Sequence, residues 1–120
     1  MKIKTKDLTG AALDWAVGTA IGGLYQPVSV RDAFWIWPGE PVKYSKAAPA
    51  YSTDWAQGGP IIEREKISIR QWTNVPIVHA YMPQDNAPWL SDGTSPLVAA
   101  MRCYCSFKLG DEVDVPEELM

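Results

Sequence analysis

The chain has 120 residues, of which 47% are apolar and 21% are charged, and its net charge at pH 7 is −3. This length and composition are typical of one globular domain, residues 1–120, and are unlike those of disordered or fibrous proteins. The lysines and arginines form no basic stripe for duplex nucleic acid, and no apolar run approaches the roughly 20 residues that span a membrane.

The first elements predicted along the chain are an edge strand at residues 2–5 and a helix from Thr9 to about Ile21. Thr9 can cap this helix, apolar residues recur at helical spacing, and two glycines follow its end. Asp14 lies off the apolar face. The many alanine and glycine residues would allow the helix to pack closely against a sheet or another helix.

Residues 24–50 contain two strand-like stretches, Tyr25–Val30 and Ala33–Trp37, and four prolines (27, 38, 41 and 49) interrupt the region. In the second stretch, alternation places Trp35 and Trp37 on the face opposite to Phe34 and Ile36. Both faces are apolar. Either this strand is central and covered on both sides, or its tryptophan face meets a ligand or a second subunit.

The most distinctive run is Tyr51–Glu63, because Ser52, Thr53 and Asp54 are three successive residues of the type that caps helices. They predict the start of a helix. Two glycines and Pro60 follow, and a proline inside a helix lacks the N–H that bonds to the fourth carbonyl back. We therefore expect either a kinked helix or a single turn with a second start at Pro60.

Two further strands are predicted at Ile67–Trp72 and Ile77–Met82. The first alternates between two faces, and the connection between the two is short enough for a hairpin. Residues 83–93 are polar, contain proline and include Trp89, which predicts a loop.

The best-defined element is a helix that begins at Pro96, with Thr94 or Ser95 as its cap, and ends before Gly110. Serine or threonine at the cap, proline at the first position and glycine past the end all favour a helix with these bounds. Apolar residues cover most of its surface. We therefore expect a central helix that is covered on more than one side.

Residues 111–120 form an acidic tail that contains three apolar residues able to dock on the core: Val113, Val115 and Leu119. The order of elements is thus helix, uncertain strands, broken helix, two strands and helix. This order predicts an α+β fold, a layered sandwich in which a small antiparallel sheet packs with an N-terminal helix, a broken central helix and a long C-terminal helix.

Three stretches carry a resemblance: Gly10–Val17, Tyr51–Glu63 and Pro96–Val113. Their motifs are Gly-Ala-x-Leu-Asp-Trp-Ala-Val, Ser-Thr-Asp-Trp-x-x-Gly-Gly-Pro and Pro-Leu-x-Ala-Ala-Met-Arg…Lys-Leu-Gly-Asp-Glu-Val. Together they resemble the NinX-like family of small proteins from lambdoid bacteriophages and prophages. The Ser-Thr-Asp opening and the late alanine-rich helix are also similar to a phage domain described as an α/β/α sandwich. The resemblance implies an accessory protein of the host bacterial cytoplasm, and it carries no catalytic residue over.

An enzyme is not expected from these residues. His79 is the sole histidine and is predicted on a strand between apolar neighbours, where a structural role is commoner than catalysis. An enzyme that pairs Asp54 with His79 would need both side chains in one cleft. Residues 58–60 lack the lysine and hydroxyl residue of a phosphate-binding loop. Cys103 and Cys105 point to nearly opposite sides of a helix, so we expect no disulfide, metal site or cofactor.

The same residues favour binding. The Ser-Thr-Asp start could place hydroxyls and N–H groups against an anionic or ribose-like ligand, tryptophans could stack on a planar base, and arginines could supply charge. The predicted ligand-binding residues are Ser52, Thr53, Asp54, Trp55, Gln57, Gly58, Gly59, Trp35, Trp37, Arg70, Trp89 and Arg102, with Arg31 as a further source of charge. The alternative is that Ser52–Asp54 only caps a helix and that Trp55 belongs to the core.

Two functions of different classes follow. The first is a non-enzymatic module, expected as a homo-oligomer, that binds or sequesters a small nucleotide-like ligand of the host, as phage counter-defence proteins do. The second is a factor that binds a host or phage enzyme through an exposed aromatic surface, with the face of Trp35 and Trp37 as its anchor. A polar pocket lined by tryptophan and arginine favours the first function, and an open apolar patch favours the second.

Overall fold

A computed structural model of the protein describes residues 1–28, 33–39, 41–46, 48–82 and 89–120. Over these ranges the chain has three α-helices and eight strands, which form three small antiparallel sheets. The expected α+β fold is confirmed, with three sheets where one was expected. The elements are β1 (Lys2–Lys4), α1 (Gly10–Ala20), β2 (Leu24–Pro27), β3 (Ala33–Trp37), β4 (Lys43–Ser45), α2 (Trp55–Glu65), β5 (Ser68–Gln71), β6 (Val78–Met82), β7 (Trp89–Gly93), α3 (Pro96–Leu109) and β8 (Glu112–Asp114), with 3₁₀ turns at Thr5–Asp7 and Glu117–Leu119.

The other elements pack around α3. Ser95 caps this helix, because its hydroxyl accepts a hydrogen bond from the backbone N–H of Val98 at 3.1 Å. Gly110 follows the last turn with a φ of 88°, a backbone conformation that favours glycine. The helix contacts the β5–β6–β7 sheet and α1, and its alanines and both cysteines are fully buried. The prediction of a central helix covered on more than one side is confirmed.

Strand β3 is the middle strand of the β2–β3–β4 sheet, and the ring of Trp35 brings it close to α1 at Gly18. Trp35 is only 3% exposed, and its ring stacks on that of Trp37 with centroids 5.0 Å apart and planes 8° apart. A Cβ atom at Gly18 of α1 would lie 2.8 Å from Cη2 of Trp35, so the absence of a side chain there makes room for the indole. The predicted alternation, with both tryptophans on one face, is confirmed.

The strand expected at Tyr25–Val30 is observed as β2, and Ser29 and Val30 lie outside the described residues. The helix expected from Thr9 is observed as α1. Thr9 occupies the cap position, but its side chain makes no hydrogen bond to the helix. The first turn of α1 also contains no acidic residue.

The Ser52–Asp54 run precedes α2, as predicted. Asp54 is the cap, and its Oδ1 atom accepts a hydrogen bond from the backbone N–H of Ala56 at 2.9 Å. The second start expected at Pro60 is wrong, because α2 continues without interruption through Pro60 to Glu65. The N–H that proline lacks would have bonded to the carbonyl of Ala56. Since Ala56 is exposed, water can satisfy that carbonyl instead.

Strands β5 and β6 form the predicted hairpin, with a register that runs from Ser68 opposite Tyr81 to Gln71 opposite Val78. The loop expected at residues 83–93 is wrong for its second part, because Trp89–Gly93 is β7 and pairs along the whole of β6. Backbone pairing and packing on α3 outweigh the turn-like composition. A Cβ atom at Gly93 would lie 2.8 Å from the backbone N of Ala99, so glycine lets β7 approach the helix. Residues 83–88 lie outside the described residues.

The C-terminal segment docks as the sequence predicts. β8 pairs with β1, from Lys2 opposite Asp114 to Lys4 opposite Glu112, which also confirms the short first strand. Val115 is 1% exposed, and Val113 and Leu119 pack against the core. The segment thereby brings the last 3₁₀ turn against α1.

Candidate functional site

A pocket of about 640 Å³ lies between α1, the β2–β3–β4 sheet, the segment before α2 and the C-terminal 3₁₀ turn. These elements are far apart in the sequence and meet only in the fold. The residues that line the pocket are Gly10, Ala11, Asp14, Trp15, Tyr25, Val28, Ala33, Phe34, Trp35, Lys46, Ala48, Pro49, Ser52, Thr53, Glu118 and Leu119.

Four of the lining residues are aromatic: Trp15, Tyr25, Phe34 and Trp35. Tyr25 and Trp35 are cross-strand partners in the β2–β3 pair, and their ring centroids are 5.6 Å apart. Trp35 is held on its other side by Gly18 and by the stacked ring of Trp37. The aromatic wall is therefore built on packed elements, which favours a fixed shape.

Asp14 is the one charged residue of α1, and it lines the pocket although it is only 9% exposed. Its Oδ1 atom accepts a hydrogen bond from the backbone N–H of Ser52 at 2.8 Å. Burial raises the pKa of this carboxyl above its ordinary value, while the hydrogen bonds from Ser52 oppose that shift. Among the described residues, Asp14 forms no ion pair with a lysine or arginine. A buried carboxylate of this kind is typical of a functional site.

The start of α1 also borders the pocket. Gly10 and Ala11 are lining residues, and they lie one turn before Asp14 and Trp15 on the same side of the helix. No side chain caps this end, and because Gly10 and Ala11 line the pocket, the partial positive charge of the helix N-terminus lies at its edge.

The rim carries charges of both signs. Glu118 approaches from the C-terminal turn and accepts a hydrogen bond from the hydroxyl of Tyr25 at 3.3 Å. The pKa of Tyr25 is raised, first by desolvation and then by the Glu118 carboxylate. Lys46 is the one basic residue among the described lining residues. A smaller cavity of about 360 Å³ shares Trp15, Tyr25 and Glu118 with the pocket.

Three of the residues predicted from the sequence line this pocket: Ser52, Thr53 and Trp35. Asp54 instead caps α2, and its Oδ2 atom accepts a hydrogen bond from the side chain of Gln57 at 3.3 Å. Gln57 in turn accepts a hydrogen bond from the backbone N–H of Ala50 at 2.8 Å. These two residues therefore fix the segment that presents Ser52.

Gly58 belongs to the packing of α2, because a Cβ atom there would collide with the carbonyl oxygen of Tyr51. The neighbouring Gly59 has only the ring of Trp55 nearby, at 3.7 Å from such an atom. Trp55 is 55% exposed, so the alternative that made it a core residue is wrong. None of these three residues lines the pocket, and Trp37 also lies outside it, behind Trp35.

The two predicted arginines lie away from the pocket. Arg70 on β5 stacks its guanidinium over Trp72, 5.6 Å from the ring centroid. Arg102 on α3 donates to the carbonyl of Leu8 at 2.7 Å and to that of Asp92 at 3.0 Å. Trp89 is the first residue of β7, and Arg31 lies outside the described residues.

Sequence reasoning did not identify the pocket residues Asp14, Trp15, Tyr25, Lys46 and Glu118. One signal was present: a single carboxylate in the otherwise uncharged helix Gly10–Ala20. A charged residue in a helix of small and apolar residues needs a specific partner or a function. The other four residues carry no local signal, since their positions depend on contacts between distant parts of the chain.

The described residues contain neither a cluster of metal ligands nor a helix that could span a membrane. Within the described residues, no group of three or more histidine, cysteine, aspartate or glutamate side chains could hold a metal ion. The helices in the same ranges are all too short or too polar to cross a lipid bilayer.

The sequence matches a known family. The family model described as bacteriophage P22, NinX, matches residues 4–108, which is nearly the whole chain. The match includes every lining residue of the pocket except those in the C-terminal turn. A search among curated proteins finds no match.

Proposed function

Because the chain belongs to the bacteriophage P22 NinX family, we propose that it is a phage accessory protein that binds a small planar ligand of nucleoside or nucleotide size. It does so in the host cytoplasm and without converting the ligand. The observation that carries this proposal is the aromatic pocket of about 640 Å³, into which the buried carboxylate of Asp14 opens without an ion-pair partner among the described residues.

The size and lining of the pocket support a small ligand. Pockets that bind drug-sized molecules typically have volumes of roughly 300–1,000 Å³, with apolar walls and a few converging polar groups. Here aromatic residues of α1, β2 and β3 are part of the lining, and Asp14, Ser52 and Thr53 supply polar groups. Planar molecules gain stacking energy on such rings.

The arrangement supports binding more than catalysis. The pairing considered from the sequence, Asp54 with His79, has no support, because Asp54 caps α2 and His79 lies on β6. Neither residue lines the pocket. Retention of a host nucleotide signal, in counter-defence, is the use that a phage protein of this kind would have.

Native mass spectrometry of protein purified from a bacterial lysate tests this function. We expect a compound of nucleoside or nucleotide size at a fixed ratio to the chain, released by mild denaturation. The same spectra report the number of subunits, for which we expect a homo-oligomer.

A matched pair of variants locates the compound. Ala11→Arg places a long side chain at an exposed position of the pocket lining, and Ala56→Arg makes the same change at an exposed position outside it. We expect the adduct on wild type and Ala56→Arg and not on Ala11→Arg. Apo masses throughout, or an adduct that Ala11→Arg retains, would rule the proposed function out.

One observation favours a second function, the binding of a protein partner. The tip of the β5–β6 hairpin exposes Trp72, Val75 and Ile77, with exposed fractions of 53%, 47% and 42%. The anchor expected from the sequence is unsuitable, because Trp35 is buried. If the hairpin binds a host protein, Trp72→Ser should abolish its recovery from lysate with the phage protein, whereas Trp55→Ser, an equally exposed control, should not.

A further inference from the structure

We infer that the pocket selects planar ligands that present two adjacent N–H donors on one edge, as guanine does, over ligands such as adenine that place an acceptor beside a donor. This inference rests on the proposed function, and it concerns the chemistry that Asp14 can recognise. In the bound state, the base of the ligand would lie against Asp14 and Ser52, the two buried polar residues of the lining, which we call the pocket floor.

The first step concerns the free hydrogen-bonding capacity of Asp14. An ionised carboxylate has two oxygens with about four acceptor positions and no donor. Among the described residues, the donors to Asp14 come from Ser52 alone, from its backbone N–H at 2.8 Å and its hydroxyl. The carboxylate also lines the pocket, so acceptor positions remain for a ligand.

The second step concerns charge. Lys46 is the one basic residue of the described lining, and it forms no ion pair with Asp14. The carboxylate therefore stays buried without a cation, which is unfavourable unless donors reach it. A ligand that brings donors would relieve this cost, and a ligand that brings an acceptor would add to it.

The third step concerns shape. A carboxylate accepts two parallel hydrogen bonds from neighbouring N–H groups, the geometry that makes bidentate pairs selective. The ring N–H and the exocyclic amino group of guanine are adjacent and lie in one plane. Adenine offers an amino group beside an unprotonated ring nitrogen, whose lone pair would face the carboxylate. The lining residues Trp15 and Tyr25 can contact the ring of either base, so the choice between guanine and adenine depends on Asp14.

Titration of the purified protein with guanosine, inosine and adenosine tests the inference, with calorimetry as the measurement. The nucleosides carry no phosphate, so Lys46 and the start of α1 contribute little. Inosine keeps the ring N–H but lacks the amino group. We expect guanosine to bind roughly 10- to 100-fold more tightly than adenosine, with inosine between them, as one bidentate contact predicts.

Asp14→Asn provides the matched variant, because its amide oxygen can still accept the hydrogen bond of Ser52 while its NH₂ group replaces the free acceptor by a donor. We expect this variant to lose the preference for guanosine, and a thermal melt confirms that it remains folded. Equal affinities of wild type for guanosine and adenosine would overturn the inference and leave the pocket function standing. Absence of binding by every nucleoside, together with apo masses in native spectra, would overturn both.

Discussion

Asp14 and Ser52 lie 38 positions apart in the sequence, and a hydrogen bond of 2.8 Å joins the carboxylate of the first to the backbone N–H of the second. This contact ties α1 to the segment before α2. The residues of the Ser-Thr-Asp run therefore have different roles. Ser52 lines the pocket beside Asp14, and Asp54 caps α2. The three polar residues Ser52, Thr53 and Asp54 thus lie where α2 meets the segment that contacts α1.

The first prediction concerns the pH dependence of stability. The pKa of Asp14 in the folded protein is raised above its ordinary value of 3.8, so the folded state holds this proton to higher pH than the unfolded state does. The contribution of Asp14 to stability is therefore most favourable below pH 3.8 and falls as the pH rises through the folded pKa. We expect the stability of Asp14→Asn, expressed relative to that of wild type, to be higher at pH 7 than at pH 4.

Asp114→Asn is the control with the opposite sign. A hydrogen bond from the amino group of Met1, 2.8 Å away, lowers the pKa of the Asp114 carboxyl. Its contribution is present above the unfolded pKa and is lost as the pH falls below it, so this variant should lose more stability at pH 7 than at about pH 2.5. Urea titrations at pH 7, pH 4 and about pH 2.5 measure both differences, and equal differences for Asp14→Asn at pH 7 and pH 4 would contradict the prediction.

The second prediction separates two adjacent glycines of α2. A Cβ atom at Gly58 would collide with the carbonyl of Tyr51, whereas one at Gly59 would make ordinary contact with Trp55 at 3.7 Å. We expect Gly58→Ala to lower the free energy of unfolding by about 1–3 kcal/mol through overpacking. Gly59→Ala should raise it by about 0.5–1 kcal/mol, because alanine is the better helix former. Chemical denaturation measures the free energy of unfolding of both variants. Similar changes in the two would show that the contact with Tyr51 does not exclude a side chain at position 58.

The third prediction tests whether Asp54 is a cap or a ligand-binding residue. Its carboxylate accepts hydrogen bonds from Ala56 and Gln57, and it does not line the pocket. Asp54→Ala should therefore cost about 1 kcal/mol of stability, as the loss of a cap does, and should change ligand affinity only slightly, through the segment that presents Ser52. Asp54→Ser keeps a capping oxygen and should restore most of the stability. A loss of affinity without a loss of stability would place Asp54 in the site after all.

The fourth prediction concerns Arg102, which fastens α3 to two other segments through the carbonyls of Leu8 and Asp92. Arg102→Lys removes the planar fork that reaches both acceptors, and we expect a loss of about 1.5–3 kcal/mol. Arg64→Lys is the control, since the Arg64 side chain is exposed and donates to Tyr104 only at 3.4 Å. That change should stay within about 0.5 kcal/mol. Comparable losses in the two variants would contradict a structural role for Arg102.

The helices were predictable because the signals that define them are local. Ser95, Pro96 and Gly110 mark the ends of α3 within a few residues, and Asp54 marks the start of α2. The hairpin was predictable for the same reason, since alternation and a short connection are visible in one window. β7 was missed because its pairing with β6 is set by tertiary contacts that outweigh its turn-like composition.

The pocket was only partly predictable. Ser52, Thr53 and Trp35 were identified from cap chemistry and aromatic content, and the pocket includes all three. Asp14 was seen only as a residue off the apolar face, because helical periodicity shows which side a residue occupies and not what will cover it. Glu118 reaches the pocket only through the pairing of β8 with β1, which no local pattern shows.

Because α3 follows α1 and the β5–β6 hairpin in the sequence, it also fixes the order in which a new molecule can fold on the ribosome. Synthesis adds about 5–20 residues per second, and until Pro96–Leu109 has emerged, α1 and the β5–β6 hairpin lack the helix that covers their apolar faces. In the nascent chain, α1 and the β5–β6 hairpin therefore keep exposed apolar faces until α3 packs against them. A product that stops before Pro96 should therefore aggregate or be degraded, and few stable fragments should accumulate beside the finished chain.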